Sequence, residues 1–350
     1  MKIFSIFSVD QERATRSRSL VAGWLLIVAV TVAMMVILGG VTRLTHSGLS
    51  MVQWQPLMGV LPPLTEDAWR AVFELYKAYP EFQKINQGMT LVEFKSIFYF
   101  EYAHRVLGRF IGLAFALPFI WFLLTGRIEQ GRRLPLFGLF LLGGVQGLIG
   151  WWMVKSGLVN QPDVSHYRLT VHLGVAMLIL GGLIWAALDL MIRRTQPAAP
   201  ALRHGGNWLL GVIFLQILTG GLVAGLDAGF IYNSFPMMNE YWLPPELWDL
   251  SPFWLNMLEN VVTVQFDHRM GAYVCAILIL WLWWRGRASD VSSYVRSALN
   301  LVFGAMILQF ALGIATLLWV VPVALAVLHQ GGALLLFAAA VYLSFRLHRG

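Results

Sequence analysis

Four of the chain's eight histidines lie within long apolar runs, and they come in pairs. His104 and His268 each precede an arginine where a run begins, in "EYAHRVLGR" and "FDHRMGAY". His172 and His329 stand a turn or two inside two further runs, in "TVHLG" and "LHQGGA". Ionisable groups are costly inside a membrane and mark function there. A single such histidine would serve as a hydrogen-bond donor between helices. Two per half of the chain, at one depth, suit paired ligands across a four-helix bundle. Zinc wants four clustered N or S donors, and the one cysteine, Cys275, sits inside an apolar run. Copper also accepts imidazole, but long apolar helices favour a large apolar macrocycle. A haem takes one axial nitrogen above its iron and one below. The expectation is two haem sites, His104 with His172 and His268 with His329.

Arg105 and Arg269 follow the first histidine of each pair, where a haem edge would present its propionates. Guanidinium pairs with carboxylate bidentately and keeps its charge. The competing role is snorkelling to the membrane interface, and for Arg109 the two roles are evenly balanced. Gly108 and Gly112, four apart, bare one helix face, either for helix packing or for macrocycle clearance. His204 and His348 fall in cytoplasmic segments and His46 and His166 in outer loops, where no ligand role is expected. Three residues before His104 stands Glu101, whereas the same position before His268 is Gln265.

The elements that must position these groups are membrane helices. The chain is 58% hydrophobic and only 12% charged, with a mean hydropathy of +0.68. A soluble domain is nearer half apolar and a quarter charged. The net charge of +7 comes from short basic clusters between apolar runs, which is a topology signal and excludes nucleic acid as a partner. A span takes about 20 apolar residues, and eight runs qualify: 21–41, 104–125, 134–154, 169–191, 207–226, 266–284, 298–319 and 323–345.

Lys2, Arg13, Arg16, Arg18, Arg127, Arg132, Arg133, Arg193, Arg194, Arg203, Arg285, Arg287, Arg296, Arg346 and Arg349 share one side. The opposite short loops hold only Lys155 and Arg168, so both termini are expected in the cytoplasm and all four histidines near the outer face. The first run is full length and lacks a small-residue cleavage site, so it reads as a retained helix. No transit-like extension precedes it, which favours a bacterial inner membrane. In the long outer loop, 42–103, Thr90 and Glu93 form a capping box for a helix running on into the second span. "TEDAWRAVFELYKAY" ahead of it is amphipathic, as an interfacial helix or a lid.

The chain is also written twice. "ILGGVTRLTHSGLSMVQWQPLMGVLPP" follows the first run and "ILTGGLVAGLDAGFIYNSFPMMNEYWLPP" the fifth, with Gly39 and Gly220 181 positions apart. "QGLIG" and "QFALG" are 163 apart, and His104 and His268 are 164 apart. Four helices per half bring both halves in from the same side, as parallel repeats. The expected fold is an all-α polytopic membrane protein of eight transmembrane helices in two pseudo-symmetric four-helix bundles. Its segments are a cytoplasmic start at 1–20, halves at 21–191 and 207–350, and a cytoplasmic linker at 192–206.

Together "GGVTRLTHSGLSM", "EYAHRVLGR", "TVHLG", "AGLDAGFIYNSFPMM", "FDHRMGAY" and "LHQGGA" resemble the haem A synthase family from about Gly39 to Gly332. The resemblance implies a b-type haem (iron protoporphyrin IX) as cofactor in one half and haem O as substrate in the other. The ring methyl of haem O would become a formyl group by successive hydroxylations and loss of water, with the formyl oxygen from water. Some members carry a cysteine pair in the first outer loop and this chain has none there, so no thiol role in electron transfer applies.

Oxidising a methyl group needs a proton acceptor beside it. Glu101 shares a helix face with His104 and can take that role, alongside or instead of an ion pair with Arg105. Gln265 can bind but cannot accept a proton, and Asp267 faces elsewhere. The N-terminal half is therefore expected to hold the reaction and the C-terminal half the cofactor. A dihaem electron carrier would need no such asymmetry and would place haems near both membrane faces, and a haem transporter would leave its cargo unchanged. The partners implied are membrane lipid, an electron acceptor of unspecified kind, a haem O synthase, cytochrome oxidase assembly factors, and further copies of the chain.

Overall fold

Long apolar runs wind into helices because, in hydrocarbon, every backbone N–H and C=O must be satisfied within its own segment. The structure, a computed structural model, describes residues 2–53, 61–159, 161–192 and 197–349, with side chains from residue 15 onward. Its long helices are α1 (Lys2–Leu44), α4 (Leu91–Leu124), α5 (Gln130–Gly157), α6 (His166–Met191), α7 (Pro200–Gly225), α9 (Val261–Arg287), α10 (Ser293–Leu318) and α11 (Val323–Arg349). Short helices α2 (Glu66–Lys77), α3 (Pro80–Lys84) and α8 (Asn256–Glu259) lie in the two long loops. Among the described residues the only β-pairing is an isolated bridge between Met238 and Tyr241. Arg193 and Arg194 of the basic set, and the loop stretch from Trp54 to Val60, fall outside the described residues.

Seven of the long helices are long and apolar enough to cross a membrane. α9 matches them in length, but Asp267, His268, Arg269, Arg285 and Arg287 dilute its hydropathy. It nevertheless packs against α7 and α10 as the eighth member of the bundle. α1 begins at Lys2, well before the expected span, because neither Pro nor Gly interrupts the stretch up to Gly23.

The pairing of helices repeats. In the first half α1 packs on α4 and α6, and α5 packs on α4 and α6; in the second, α7 packs on α9 and α11, and α10 on α9 and α11. Contacts of α6 with α7 and α11, and of α1 with α11, join the halves. One apolar core runs through the seam, from Leu25 and Val28 through Met177 and Leu183 to Leu209, Phe337 and Val341. Thus the parallel-repeat architecture expected from the sequence is the architecture observed.

Thr90 caps α4 as anticipated: its Oγ1 accepts from Glu93 N, and Glu93 Oε2 accepts from Thr90 N at 2.7 Å. With 34 residues α4 is roughly 50 Å long, which exceeds a hydrocarbon core of about 30 Å. Its first turns therefore stand outside and support the outer loop. Trp69, Phe73 and Tyr76 of α2 pack on Phe94 and Phe98 of this extension, alongside Met51 and Val52. The apolar face of α2 is thus covered by protein, not laid on the membrane interface. At the opposite hairpin, Val320 and Val321 turn the chain with φ of 59° and 55° ahead of Pro322. That left-handed conformation is unfavourable for β-branched residues.

Candidate functional site

Each of the four intramembrane histidines rests against a glycine of a neighbouring helix. A Cβ added at Gly39 would stand 3.2 Å from His104 Nε2, and one at Gly150 would stand 3.0 Å from His172 Cε1. At Gly220 it would stand 3.1 Å from His268 Cε1, and at Gly313 2.8 Å from His329 Cε1. Helices α1, α5, α7 and α10 thus supply side-chain-free seats, and the repeat offset seen in the sequence carries Gly39 to Gly220 and Gly150 to Gly313. His172, His268 and His329 sit about two turns inside α6, α9 and α11, while His104 lies deeper in α4 because that helix starts outside the bundle.

In the C-terminal half the rings of His268 and His329 face one another, with centroids 6.5 Å apart and planes at 85°. That gap accommodates an ion held by one nitrogen from each ring, since metal–imidazole bonds are about 2 Å long. Nδ1 of His172 and Nδ1 of His329 are buried without hydrogen-bond partners. No group of three or more His, Cys, Asp or Glu that could hold a metal occurs among the described residues. A closed zinc site therefore has no donors here, and the side chains fit a two-nitrogen axial ligation. His166, expected in a loop, is instead the first residue of α6, beside Tyr167, whose hydroxyl donates to Glu259. Gly112 is exposed with nothing within 4 Å of an added Cβ, whereas Gly108 packs against Met35.

The two His-Arg starts use their arginines alike. Arg105 donates through Nη2 to Met51 O at 2.7 Å and to Glu101 Oε1 at 2.7 Å, and through Nη1 to Gln53 O at 3.0 Å. Arg269 donates through Nη1 to Ser234 O at 2.9 Å and through Nη2 to Tyr232 O at 2.8 Å. Each guanidinium therefore ties the outer loop of its half onto the helix that carries the histidine. These loop carbonyls are partners of Arg105 and Arg269 in this structure. Arg269 Nε stays buried and unpartnered. Arg109 lies half-buried one turn beyond Arg105.

Glu101 and Gln265 occupy the matching position in these clamps with opposite polarity. Glu101, 3% exposed, accepts at Oε2 from Ser50 Oγ at 2.8 Å and from Met51 N at 2.7 Å, and at Oε1 from Arg105. All these partners present hydrogens to the carboxylate. Gln265 instead donates through Nε2 to Tyr232 O at 3.1 Å and accepts from Arg269. The ion pair between Glu101 and Arg105 anticipated from their spacing is thus present.

Sequence reasoning missed the groups behind His268. Thr219 Oγ1 lies 2.8 Å and Gln216 Nε2 3.1 Å from its Nδ1, and Gln216 also donates to His268 O at 2.7 Å. The available signal was the polar pair Gln216 and Thr219 just ahead of Gly220 in an otherwise apolar helix.

The profile of the cytochrome oxidase assembly protein family matches residues 22–341. A protein of Nitrosospira multiformis named "Heme A synthase" is 49% identical over 333 residues, 94% of either chain. Proteins of the same name from Parvibaculum lavamentivorans and Nitrosomonas eutropha are 44% identical over 96% of either chain and 43% identical over 98%. Two glycine-seated histidine pairs in matched four-helix halves, and similarity of this depth over nearly the full length, place this chain in the haem A synthase family of cytochrome oxidase assembly proteins.

Proposed function

We propose that the protein is a haem A synthase: an oxidoreductase that converts the ring methyl of haem O to a formyl group by successive hydroxylations, with the oxygen drawn from water. The relatives' shared name supports the reaction. The single observation that carries the assignment of halves is the exchange of Glu101 for Gln265 in otherwise matching clamps. His104 and His172 hold the substrate haem O in the N-terminal half. His268 and His329 hold a b-type haem in the C-terminal half, which supplies one-electron redox chemistry when bound.

Each hydroxylation removes a pair of electrons and releases protons. Glu101, three residues before His104, accepts a proton near the reacting carbon, and Arg105 holds its carboxylate in place. Arg109 and the remaining N–H groups of Arg105 and Arg269 would pair with the propionates, and Gln265 would belong to the cofactor side.

The membrane is a bacterial inner membrane, with both termini cytoplasmic. In support, one end of the bundle gathers Arg18, Arg132 and Arg349 with Glu129 and Asp189, as positive-inside topology requires. Both haem pairs then lie towards the periplasmic face. The reading implies supply by a haem O synthase and delivery to cytochrome oxidase assembly factors, within or beside further copies of the chain.

Haem extracted from purified protein supplied with haem O, and separated by chromatography, tests the proposal. Haem A or a hydroxylated haem O supports the enzyme; haem B and unchanged haem O alone would point to an electron carrier or a transporter. His268→Ala or His329→Ala should abolish the b-type reduced-minus-oxidised spectrum, and an unchanged spectrum would overturn the cofactor assignment.

A further inference from the structure

The two halves hold their first histidines differently. Behind His268 stand Thr219 and Gln216 of α7, both within hydrogen-bond distance of Nδ1. Thr219 Oγ1 also lies 2.8 Å from Gln216 O, a carbonyl that can only accept. The repeat carries Gln216 onto Met35 and Thr219 onto Leu38 of α1. The register supports the correspondence: Gln216 and Thr219 stand four and one residues before Gly220, as Met35 and Leu38 do before Gly39, and both glycines seat the first histidine of their half. Neither Met35 nor Leu38 can accept a hydrogen bond from an imidazole N–H with any strength.

The contacts admit a proton on Nδ1 of His268. Thr219 then gives its hydroxyl hydrogen to Gln216 O, and its oxygen accepts from Nδ1–H. Gln216 gives a hydrogen to His268 O, its shorter contact. In this Nδ1–H tautomer Nε2 is left bare, the form an imidazole needs to bind a metal through that nitrogen. A ring N–H bonded to an acceptor makes the other nitrogen more basic and fixes the plane of the ring.

We propose that Thr219, with Gln216 as its support, is the positioning residue that makes the C-terminal half the retentive one. Its hydroxyl favours the Nδ1–H tautomer of His268 and strengthens the bond to ferric iron, whereas His104, with Met35 and Leu38 at the matching positions of α1, holds haem more loosely and can exchange it. Two similar histidine pairs are thereby divided into a permanent site and a turnover site. This rests on the assignment of His268 and His329 as the pair that holds the b-type haem.

The test uses the full-length protein in detergent and compares Thr219→Val with Thr219→Ser. Val keeps the shape of Thr and loses the oxygen; Ser keeps the oxygen. Loss of such an outer partner weakens metal affinity 10–100-fold. Thr219→Val should therefore release its b-type haem to excess apomyoglobin at least tenfold faster. Its midpoint potential should also rise, by about 59 mV if the ferric form alone weakens tenfold. Thr219→Ser should match the unaltered protein in both. If Val leaves both rate and potential unchanged, or if Ser moves them as far as Val, the proposal falls while the b-type spectrum still upholds the cofactor site. If His268→Ala keeps that spectrum, the site assignment itself fails and the proposal goes with it.

Discussion

Gly313 is the most crowded of the four glycine seats, and α10 carries its own control. A Cβ at Gly313 would stand 2.8 Å from His329 Cε1, while Gly304, on the same helix, has nothing within 4 Å. Replacing a helical glycine by alanine contributes about 1 kcal/mol of helix propensity, and at Gly304 nothing opposes it. At Gly313 the methyl group lies inside the ~3.5–4.0 Å separation at which carbon atoms rest, so the imidazole must retreat by roughly 1 Å. Overpacking of this kind costs about 1–3 kcal/mol. Gly304→Ala should therefore raise stability by up to about 1 kcal/mol, and Gly313→Ala should range from neutral to about 2 kcal/mol destabilised. The ligand would feel it more: His329 and His268, with ring centroids 6.5 Å apart, would hold the iron between them, and a misplaced ligand loses about 10–100-fold in affinity. Melting in detergent and the b-type amplitude per mole of protein give both quantities. A Gly313→Ala protein with full haem content and the same rise in Tm as Gly304→Ala would refute the idea that the glycine exists to seat the histidine.

Three further outcomes are expected. Glu101→Gln should keep haem O bound yet lower haem A formation by about 10²–10⁴-fold, the usual worth of a general base; a normal haem A yield would remove Glu101 from the mechanism. Burial, reinforced by Glu101 and Asp163, pushes the carboxyl of Glu81 up from 4.5 to about 7 against the hydrogen bond from Tyr76. The folded state thus keeps a proton that the unfolded chain releases, so stability falls as pH rises from about 4.5 to about 7. Glu81→Gln should flatten that fall, which is on the order of 3 kcal/mol, as read by melting at pH 5 and pH 8; an unchanged pH profile would refute it. Arg43 reaches both oxygens of Asp227 at 3.0 Å across the halves, but Asp227 is half-exposed. A double-mutant cycle of Arg43→Gln and Asp227→Asn should give a coupling of about 1 kcal/mol or less, and a much larger value would show the pair to be a structural lock.

The helices were legible because hydrocarbon enforces length and composition, and the capping box of α4 because it is local: Thr90 and Glu93 report on each other within one turn. The duplication was legible because a repeated Gly and a repeated His keep their spacing. Arg105 and Arg269 were harder. Their positions stand out in the sequence, but their partners are backbone carbonyls 35 to 54 residues away, and a carbonyl has no sequence signature. The same limit hid Thr219, whose meaning depends on facing His268 across two helices. The amphipathic pattern of α2 announced a buried face without saying that Phe94 and Phe98 would cover it.

The opposed clamps around Glu101 and Gln265 also bear on how reversible the division of labour is. In the first half the loop gives hydrogens to the helix, through Ser50 and Met51; in the second the helix gives one to the loop, at Tyr232 O. A carboxylate installed at position 265 would confront that carbonyl oxygen instead of an N–H, and a glutamine at 101 would turn its amide hydrogens or lose an acceptor among donors. On the proposed assignment, neither half would take on the other's chemistry by one exchange, because the loop backbone would have to turn over as well. Divergence of this sort acts as a ratchet: once the loops had settled around different side chains, the ancestral equivalence of the halves was out of reach of point substitution.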